Sequence, residues 1–192
     1  MRTRNKKTNR VIPLILVGTG LLILGIVSGV WLVGTSFNVQ DIKDISVIPA
    51  QVNFPVPEIN LATVSGDPVY LDQLQGKVVL INNWATWCPP CKAEMPTLQT
   101  YHNKYKDEGF TVIAINDGDP TSDVLQFVDD YKLSFPVWLD PTYIATEQAF
   151  KTLNLPSSYV IDRSGITRLS WVGEINRKTL EKFVTPIIKE KQ

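Results

Sequence analysis

Cys88 and Cys91 are the only two cysteines in this chain of 192 residues, and only Pro89 and Pro90 separate them. They stand in the stretch "NNWATWCPPCKAEMPTL", at the end of an apolar run. Two thiols at this spacing can act in turn on a disulfide: the first forms a mixed disulfide and the second displaces it. The residue types and their spacing therefore indicate thiol–disulfide exchange.

A structural disulfide and a metal site are the alternatives for this pair. A disulfide that closes so short a loop removes little chain entropy, so it would stabilise the fold weakly. Structural zinc needs about four ligands, whereas Cys88, Cys91 and the lone His102 are the candidates unless carboxylates join them. We predict that His102 is an exposed helix residue, and we favour redox exchange over metal binding.

The residues around the cysteines predict a strand followed by a helix. "KVVLINNWA" is apolar and β-branched without a polar face, which is typical of a central strand buried on both sides. If the helix begins at Cys88, its free amides and its macrodipole favour an anion at that sulfur. The thiolate is the form that attacks disulfides, so this position would activate Cys88.

Pro89 and Pro90 fit the first turn of such a helix, because proline is tolerated there and fixes φ. They also remove two N–H donors, which leaves the amides of Cys91 and Lys92 as local partners for the Cys88 sulfur. A less stabilised thiolate makes the reduced pair less favoured. Our hypothesis is therefore that the pair donates electrons.

The rest of the C-terminal region alternates between strand and helix patterns. "INLATVSGDPVYLDQL" predicts a hairpin, and "FTVIAIND" and "FPVWLD" predict further strands. Apolar spacing predicts helices after Cys91, at 124–131, at 140–154 and at 180–188, while "SSYVID" and "ITRLSWVG" predict a last hairpin. This order predicts an α/β sandwich of helices around a mixed sheet.

The N-terminal region has a different character. Residues 11–33 are a run of 23 residues without a charge, and a helix of this length is about 34 Å long, enough to cross a hydrocarbon core of roughly 30 Å. We predict an uncleaved membrane anchor, because the run is long for a signal peptide and no A-x-A-like site follows it. The five cations in residues 1–10 predict a cytoplasmic tail. Residues 34–51 are then a stalk, and residues 52–192 an extracytoplasmic domain.

The charge balance excludes one class of function. Without those five cations, residues 11–192 carry 14 basic and 19 acidic residues, a formal charge of −5. Neutralising phosphates requires clustered Lys and Arg. This composition therefore argues against a protein that binds nucleic acid.

Three features together resemble the thioredoxin superfamily: "GKVVLINNWATWCPPCKAEMP", "LPSSYVID" and the upstream anchor. Within it, the chain is most similar to the membrane-anchored TlpA/ResA-like thiol-disulfide oxidoreductases, over roughly residues 52–190. The resemblance implies a thioredoxin-like three-layer α/β sandwich, with a mixed central sheet and helices on both faces. It also implies a redox-active Cys88–Cys91 disulfide and no further cofactor or metal.

The resemblance also implies roles for individual residues. Cys88 would be the nucleophile and Cys91 the resolving cysteine, while Trp87 would shield the site and help to receive the substrate. Pro156 matches the superfamily's proline whose preceding peptide bond is cis. The backbone of Leu155 would then face the substrate chain and pair with it as a strand does.

Two residues depart from family patterns. Asn82 stands where many thioredoxins have a buried aspartate, and Pro89 stands where some heme-maturation members have a glutamate. Proton transfer from Cys91 therefore needs another acceptor, and Glu94 is the nearest carboxylate by sequence. A solvated helix-surface charge is the alternative for Glu94, since a spacing of three residues places it only near the same face.

The function that the resemblance implies is extracytoplasmic reduction of disulfides in a client protein, with apocytochrome c as a candidate client. A transmembrane electron donor of the CcdA/DsbD type would reduce the pair again. A disulfide oxidase or isomerase is the alternative within thiol chemistry, and a non-enzymatic module for metal or heme assembly is the alternative outside it. A peroxidase is disfavoured, because "NNWATWC" lacks the proline expected upstream of a peroxidatic cysteine.

Overall fold

The computed structural model describes residues 47–190, and within them the chain forms one eight-stranded mixed sheet. The strands are β1 (Ala50–Pro55), β2 (Asn60–Thr63), β3 (Pro68–Tyr70), β4 (Val78–Trp84), β5 (Phe110–Asp117), β6 (Val137–Asp140), β7 (Ser157–Ile161) and β8 (Ile166–Val172). The α-helices are α1 (Pro89–Tyr105), α2 (Thr121–Asp130) and α3 (Arg177–Lys189). Short 3-10 turns at Leu71–Leu74 and Lys106–Glu108 and a π-helical turn at Ile144–Ala149 complete the fold.

The strands lie in the order β1-β8-β7-β4-β5-β6-β2-β3. β4 pairs in parallel with β5 and antiparallel with β7, and β6 continues the parallel part beside β5. Every residue of β4 and of β5 is buried, as their apolar sequences predict for central strands. The predicted hairpins are the pairs β2–β3 and β7–β8.

Two hydrophobic clusters cover the two faces of the sheet, because successive side chains of a strand point to opposite sides. Trp84 of β4 lies in the first cluster, with apolar residues of all three α-helices. Ile81 of β4 lies in the second cluster, which Ala145 of the π-helical turn and Leu71 of a 3-10 turn complete. The predicted three-layer arrangement is present, but short turns rather than α-helices form the layer on the second face.

The helix predicted over residues 140–154 is wrong in length. Only Ile144–Ala149 is helical, as a π-helical turn. Tyr143 before it and Lys151 after it have left-handed φ values of 58° and 53°, which α-helices exclude. The carboxylate of Asp140 accepts the amides of residues 144 and 145, so the turn begins there and not at residue 141.

The boundary predicted at residue 52 is two residues late. β1 begins at Ala50, whose Cα pairs with that of Ser170 in β8, so the end of the predicted stalk belongs to the sheet. The predicted tail, the anchor at 11–33 and the stalk residues 34–46 lie outside the described residues. Among residues 47–190, no helix is long and apolar enough to span a bilayer.

Candidate active site

Cys88 and Cys91 form a disulfide at the start of α1, with their Cα atoms 5.3 Å apart. Cys88 is the N-cap of the helix, and Pro89 and Pro90 occupy its first turn, as predicted. The amide of Cys91 donates to the Cys88 sulfur over 3.3 Å. The amide of Lys92 donates to the Cys88 carbonyl oxygen instead, so one of the two expected donors reaches the sulfur.

The two cysteines differ in access to solvent. Cys91 has no exposed surface and Cys88 keeps 3% of its surface exposed, beside Trp87, which is 68% exposed. Both cysteines are thus buried in this oxidised state, and Cys88 is the one that keeps a small exposed surface. This asymmetry agrees with the roles that the sequence predicts, in which Cys88 attacks and Cys91 resolves.

Leu155 and Pro156 lie at the same edge of the sheet as the cysteines. Pro156 directly precedes β7, whose first residue, Ser157, pairs with Asn83 near the end of β4. The Leu155–Pro156 peptide bond is cis, as the sequence resemblance predicts. Pro156 is buried and Leu155 is half-buried. The fold thus brings together Trp87, the cysteines and this loop.

Glu94 is buried in the protein, so its interpretation as a surface charge is wrong. It lies in α1, one turn after Cys91, and the amide nitrogen Nδ2 of Asn82 donates to its Oε1 over 2.7 Å. The backbone amide of Ile175 donates to its Oε2 over 3.1 Å. Burial raises the pKa of Glu94 to about 8, the two hydrogen bonds oppose this rise, and the charge of Glu174 adds to it.

Asn82 has a role that the sequence did not reveal. It lies in the middle of β4 without exposed surface, and its Nδ2 also donates to the Ser158 hydroxyl over 3.0 Å. The side chain therefore fixes the Glu94 carboxyl against the sheet. The signal was available in "VVLINNW", because an amide in a buried apolar strand must find a partner.

The prediction that His102 is an exposed helix residue is wrong, since only 7% of its surface is exposed. Its Nδ1 accepts the backbone amide of Val112 over 3.4 Å, and its ring meets the Phe135 ring edge to face. Burial lowers its pKa. No group of three or more His, Cys, Asp or Glu side chains among residues 47–190 could hold a metal ion.

A pair of buried carboxyl groups lies on the face of the sheet opposite Glu94. Asp117 ends β5 and Asp140 ends β6, and the two pair in register. Asp140 accepts two backbone amides, as described above for the π-helical turn. Burial, followed by the nearby charge of Asp140, raises the pKa of Asp117 to about 7. No pattern in the sequence predicted this pair.

Comparison with known proteins shows what this chain is similar to. A sequence model of the AhpC/TSA family matches residues 52–170, which include Cys88, Cys91, Glu94 and Pro156. Thioredoxin-like protein YneN of Bacillus subtilis is 31% identical over 157 residues, which cover 80% of this chain and 91% of YneN. Thiol-disulfide oxidoreductase ResA of Halalkalibacterium halodurans is 34% identical over 130 residues, or 68% of this chain and 73% of that protein.

A solved structure has the same fold. A DsbE-like thiol:disulfide interchange protein from Chlorobium tepidum superposes with a TM-score of 0.66 at 30% sequence identity. The similarity covers 72% of this chain and 98% of the Chlorobium tepidum chain. The thioredoxin-like α/β fold predicted from the sequence is therefore confirmed.

The buried Glu94 carboxyl makes stability depend on pH. Its pKa is about 8 in the folded protein and 4.5 without burial, so between these values the folded state keeps a proton that the unfolded state has lost. The free energy of unfolding should then fall, as pH rises through this window, by about 1.4 kcal/mol per pH unit for this one proton. We expect Glu94→Gln to remove this contribution, as measured by urea denaturation of the oxidised full-length protein from pH 5 to pH 8.

Asp117→Asn is the matched comparison. The pKa of Asp117 is about 7, so the pH range over which its proton affects stability ends at a lower pH than that of Glu94. This variant should reduce the slope only below about pH 7 and leave the slope between pH 7 and pH 8 unchanged. A Glu94→Gln variant with the parent's slope throughout would show that the carboxyl is not buried as described.

Proposed function

The chain belongs to the AhpC/TSA family of thioredoxin-like proteins, and on this premise we propose that it is an extracytoplasmic thiol-disulfide oxidoreductase that reduces protein disulfides. The observation that supports this function best is the Cys88–Cys91 disulfide at the start of α1. Cys88 caps the helix and keeps 3% of its surface exposed, while Cys91 has no exposed surface. This is the arrangement that two-step exchange requires.

In the first step, the Cys88 thiolate attacks one sulfur of a client disulfide. A bond forms between Cys88 and the client, and the other client sulfur leaves as a thiolate, which takes a proton from solvent. The position of Cys88 at the helix N-terminus favours the thiolate, because the macrodipole and the Cys91 amide both stabilise negative charge there.

In the second step, Cys91 loses its proton, attacks the Cys88 sulfur and displaces the second client thiolate. Two electrons have then passed from the cysteine pair to the client, and the pair is oxidised as in this structure. We assign the Cys91 proton to Glu94, one helical turn further along α1. Because the pKa of Glu94 is about 8, the minor fraction of the carboxyl that is ionised at neutral pH is the form that accepts this proton, and Asn82 holds it in place. The ionised fraction grows as pH rises toward 8.

The client would bind along the edge that Trp87 and Leu155 share. Trp87 offers an exposed aromatic face beside the nucleophile. The Leu155 backbone precedes β7 and could pair with an extended client segment, as a strand adds to a sheet edge. Trp87, Leu155 and Pro156 are therefore the proposed substrate-binding residues.

The proposed setting follows from the N-terminal sequence and the family resemblance. Residues 11–33 would anchor the chain in the membrane, with the N-terminus in the cytoplasm and the catalytic domain outside. A transmembrane donor of the CcdA/DsbD type would then return the pair to its reduced form. Apocytochrome c is the candidate client that the resemblance to TlpA/ResA-like oxidoreductases implies.

The direction of electron flow separates a reductase from an oxidase or isomerase. Only the Cys91 amide donates to the Cys88 sulfur among the hydrogen bonds of the described residues, so we expect a weakly stabilised thiolate and a reducing pair. The reduction potential, measured by equilibration with glutathione or dithiothreitol buffers, should lie nearer about −270 mV than about −120 mV. A value near about −120 mV would instead indicate that the protein is an oxidase.

A trapping experiment tests the exchange itself. Cys91→Ala leaves Cys88 able to attack but removes the sulfur that releases the client, so a disulfide-linked adduct should accumulate. Non-reducing electrophoresis and mass spectrometry of full-length protein from its native membrane would detect and identify the client. The double variant Cys88→Ala/Cys91→Ala is the control and should form no adduct. Equal adduct formation by Cys88→Ala, which keeps Cys91 as its one cysteine, would contradict the assignment of Cys88 as nucleophile.

A kinetic experiment tests Glu94. Glu94→Gln keeps an acceptor oxygen for Asn82 but cannot take a proton, so release of the client should slow by roughly 10- to 100-fold at pH 7. Rapid-mixing kinetics with a model disulfide protein, from pH 5 to pH 9, would measure this rate. The parent's profile should contain a step that the variant lacks, and identical profiles would remove Glu94 from the mechanism.

A further inference from the structure

The loop that carries Trp87 is held from another part of the chain. Ala85, Thr86 and Trp87 connect β4 to α1, and the amide of Cys88 donates to the Ala85 carbonyl oxygen over 3.2 Å. The amide of Thr86, in the middle of the loop, donates to Oδ2 of Asp119 over 2.6 Å. Asp119 lies 33 residues further along, just after β5.

The Asp119 carboxylate is itself fixed by Asn116. The side-chain amide of Asn116 donates to the same Oδ2 over 2.8 Å, and the backbone amide of Asp119 donates to Asn116 Oδ1 over 3.2 Å. Asn116 is 1% exposed and pairs in register with Trp84, the last residue of β4. Gly118, between the two, has a φ of 75°, which glycine adopts without strain.

These contacts form a closed connection between two neighbouring strand ends. The loop after β4 is hydrogen-bonded through Thr86 to Asp119, and Asp119 is hydrogen-bonded to Asn116. Asn116 in turn pairs with Trp84, the last residue of β4. Thr86 is half-buried and Trp87 is 68% exposed, so packing holds this loop only in part. The orientation of Trp87 therefore depends on the acceptor at position 119.

We propose that Asp119 is a positioning residue for client binding: by accepting the Thr86 amide, its carboxylate fixes the loop that presents Trp87 beside Cys88. The inference rests on the proposed function, since it concerns how a client protein docks on the exchange site. Asp119 acts through Thr86, and no hydrogen bond of the described residues joins it to either sulfur. The acceptor oxygen, and not the negative charge, is what the loop requires.

The test is to compare Asp119→Ala with Asp119→Asn in the full-length protein. Alanine removes the acceptor, whereas asparagine removes the charge and keeps an oxygen that can accept the Thr86 amide. In an assay of disulfide reduction with a disulfide-bonded protein such as insulin as substrate, Asp119→Ala should raise KM by about fivefold or more, with a smaller change in kcat, for the loss of one hydrogen bond. Asp119→Asn should restore KM to within about twofold of the parent value.

A second measurement reports on the loop directly. Hydrogen exchange of the Thr86 amide should become at least about tenfold faster in Asp119→Ala and remain slow in Asp119→Asn, because an amide that loses its acceptor is no longer protected. Asp123→Ala is the matched control, since Asp123 is an exposed acidic residue nearby whose carboxylate accepts from the adjacent Ser122 hydroxyl. It should behave like the parent in both measurements.

The outcomes separate the inference from the function on which it rests. A parent protein that does not reduce the protein disulfide overturns both. An active parent together with unchanged KM and unchanged Thr86 exchange in Asp119→Ala overturns the inference alone, as does an Asp119→Asn variant as impaired as Asp119→Ala. Should Asp119→Ala fail to fold, Asp119→Ser, whose hydroxyl is too short to reach the loop, takes its place with the same expected result.

Discussion

The chemistry of this protein depends on one junction, where β4 ends and α1 begins at Cys88. β4 lies in the interior of the sheet and is buried on both faces, so its carboxyl end has a fixed position. α1 then starts with Cys88 as its N-cap and two prolines in its first turn, where the missing N–H groups cost no hydrogen bond. The same short segment thereby determines the charge that the Cys88 sulfur can carry, its exposure and its distance from Cys91.

The buried Glu94 carboxyl is the second feature on which the site depends, and its burial lowers the free energy of unfolding. Burial favours its protonated form, while Asn82 and the Ile175 amide donate to both oxygens and so favour the ionised form. The opposition leaves a pKa of about 8, close to neutral pH, where a group can both accept and return a proton. An apolar residue at this position would avoid the cost of burial, and this is the reason to propose a role in proton transfer for Glu94.

Local patterns were sufficient to predict seven of the eight strands, all but β1, together with the helix start at Cys88 and the pairing of β7 with β8. They were insufficient wherever the outcome depended on distant contacts. Glu94 is buried because Ile175, 81 residues away, covers it, and His102 is buried because Val112 and Phe135 meet its ring. The spacing of residues along one helix indicates a face but not what lies opposite that face. The left-handed Tyr143, which shortens the helix predicted over 140–154, likewise left no local signal.

The mixed pairing of β4 explains how such distant segments meet at one site. β5 runs parallel to β4, so the carboxyl ends of both strands lie at the same edge and bring Asp119 beside Thr86. β7 runs antiparallel to β4, so its amino end lies at this edge, and Pro156 arrives there without a further connection. If both neighbours of β4 were parallel to it, the loop before β7 would lie at the opposite edge of the sheet. If both were antiparallel, the turn after β5 would lie at the opposite edge. One neighbour of each kind is therefore what allows the nucleophile, the loop support and the substrate-facing backbone to share one edge.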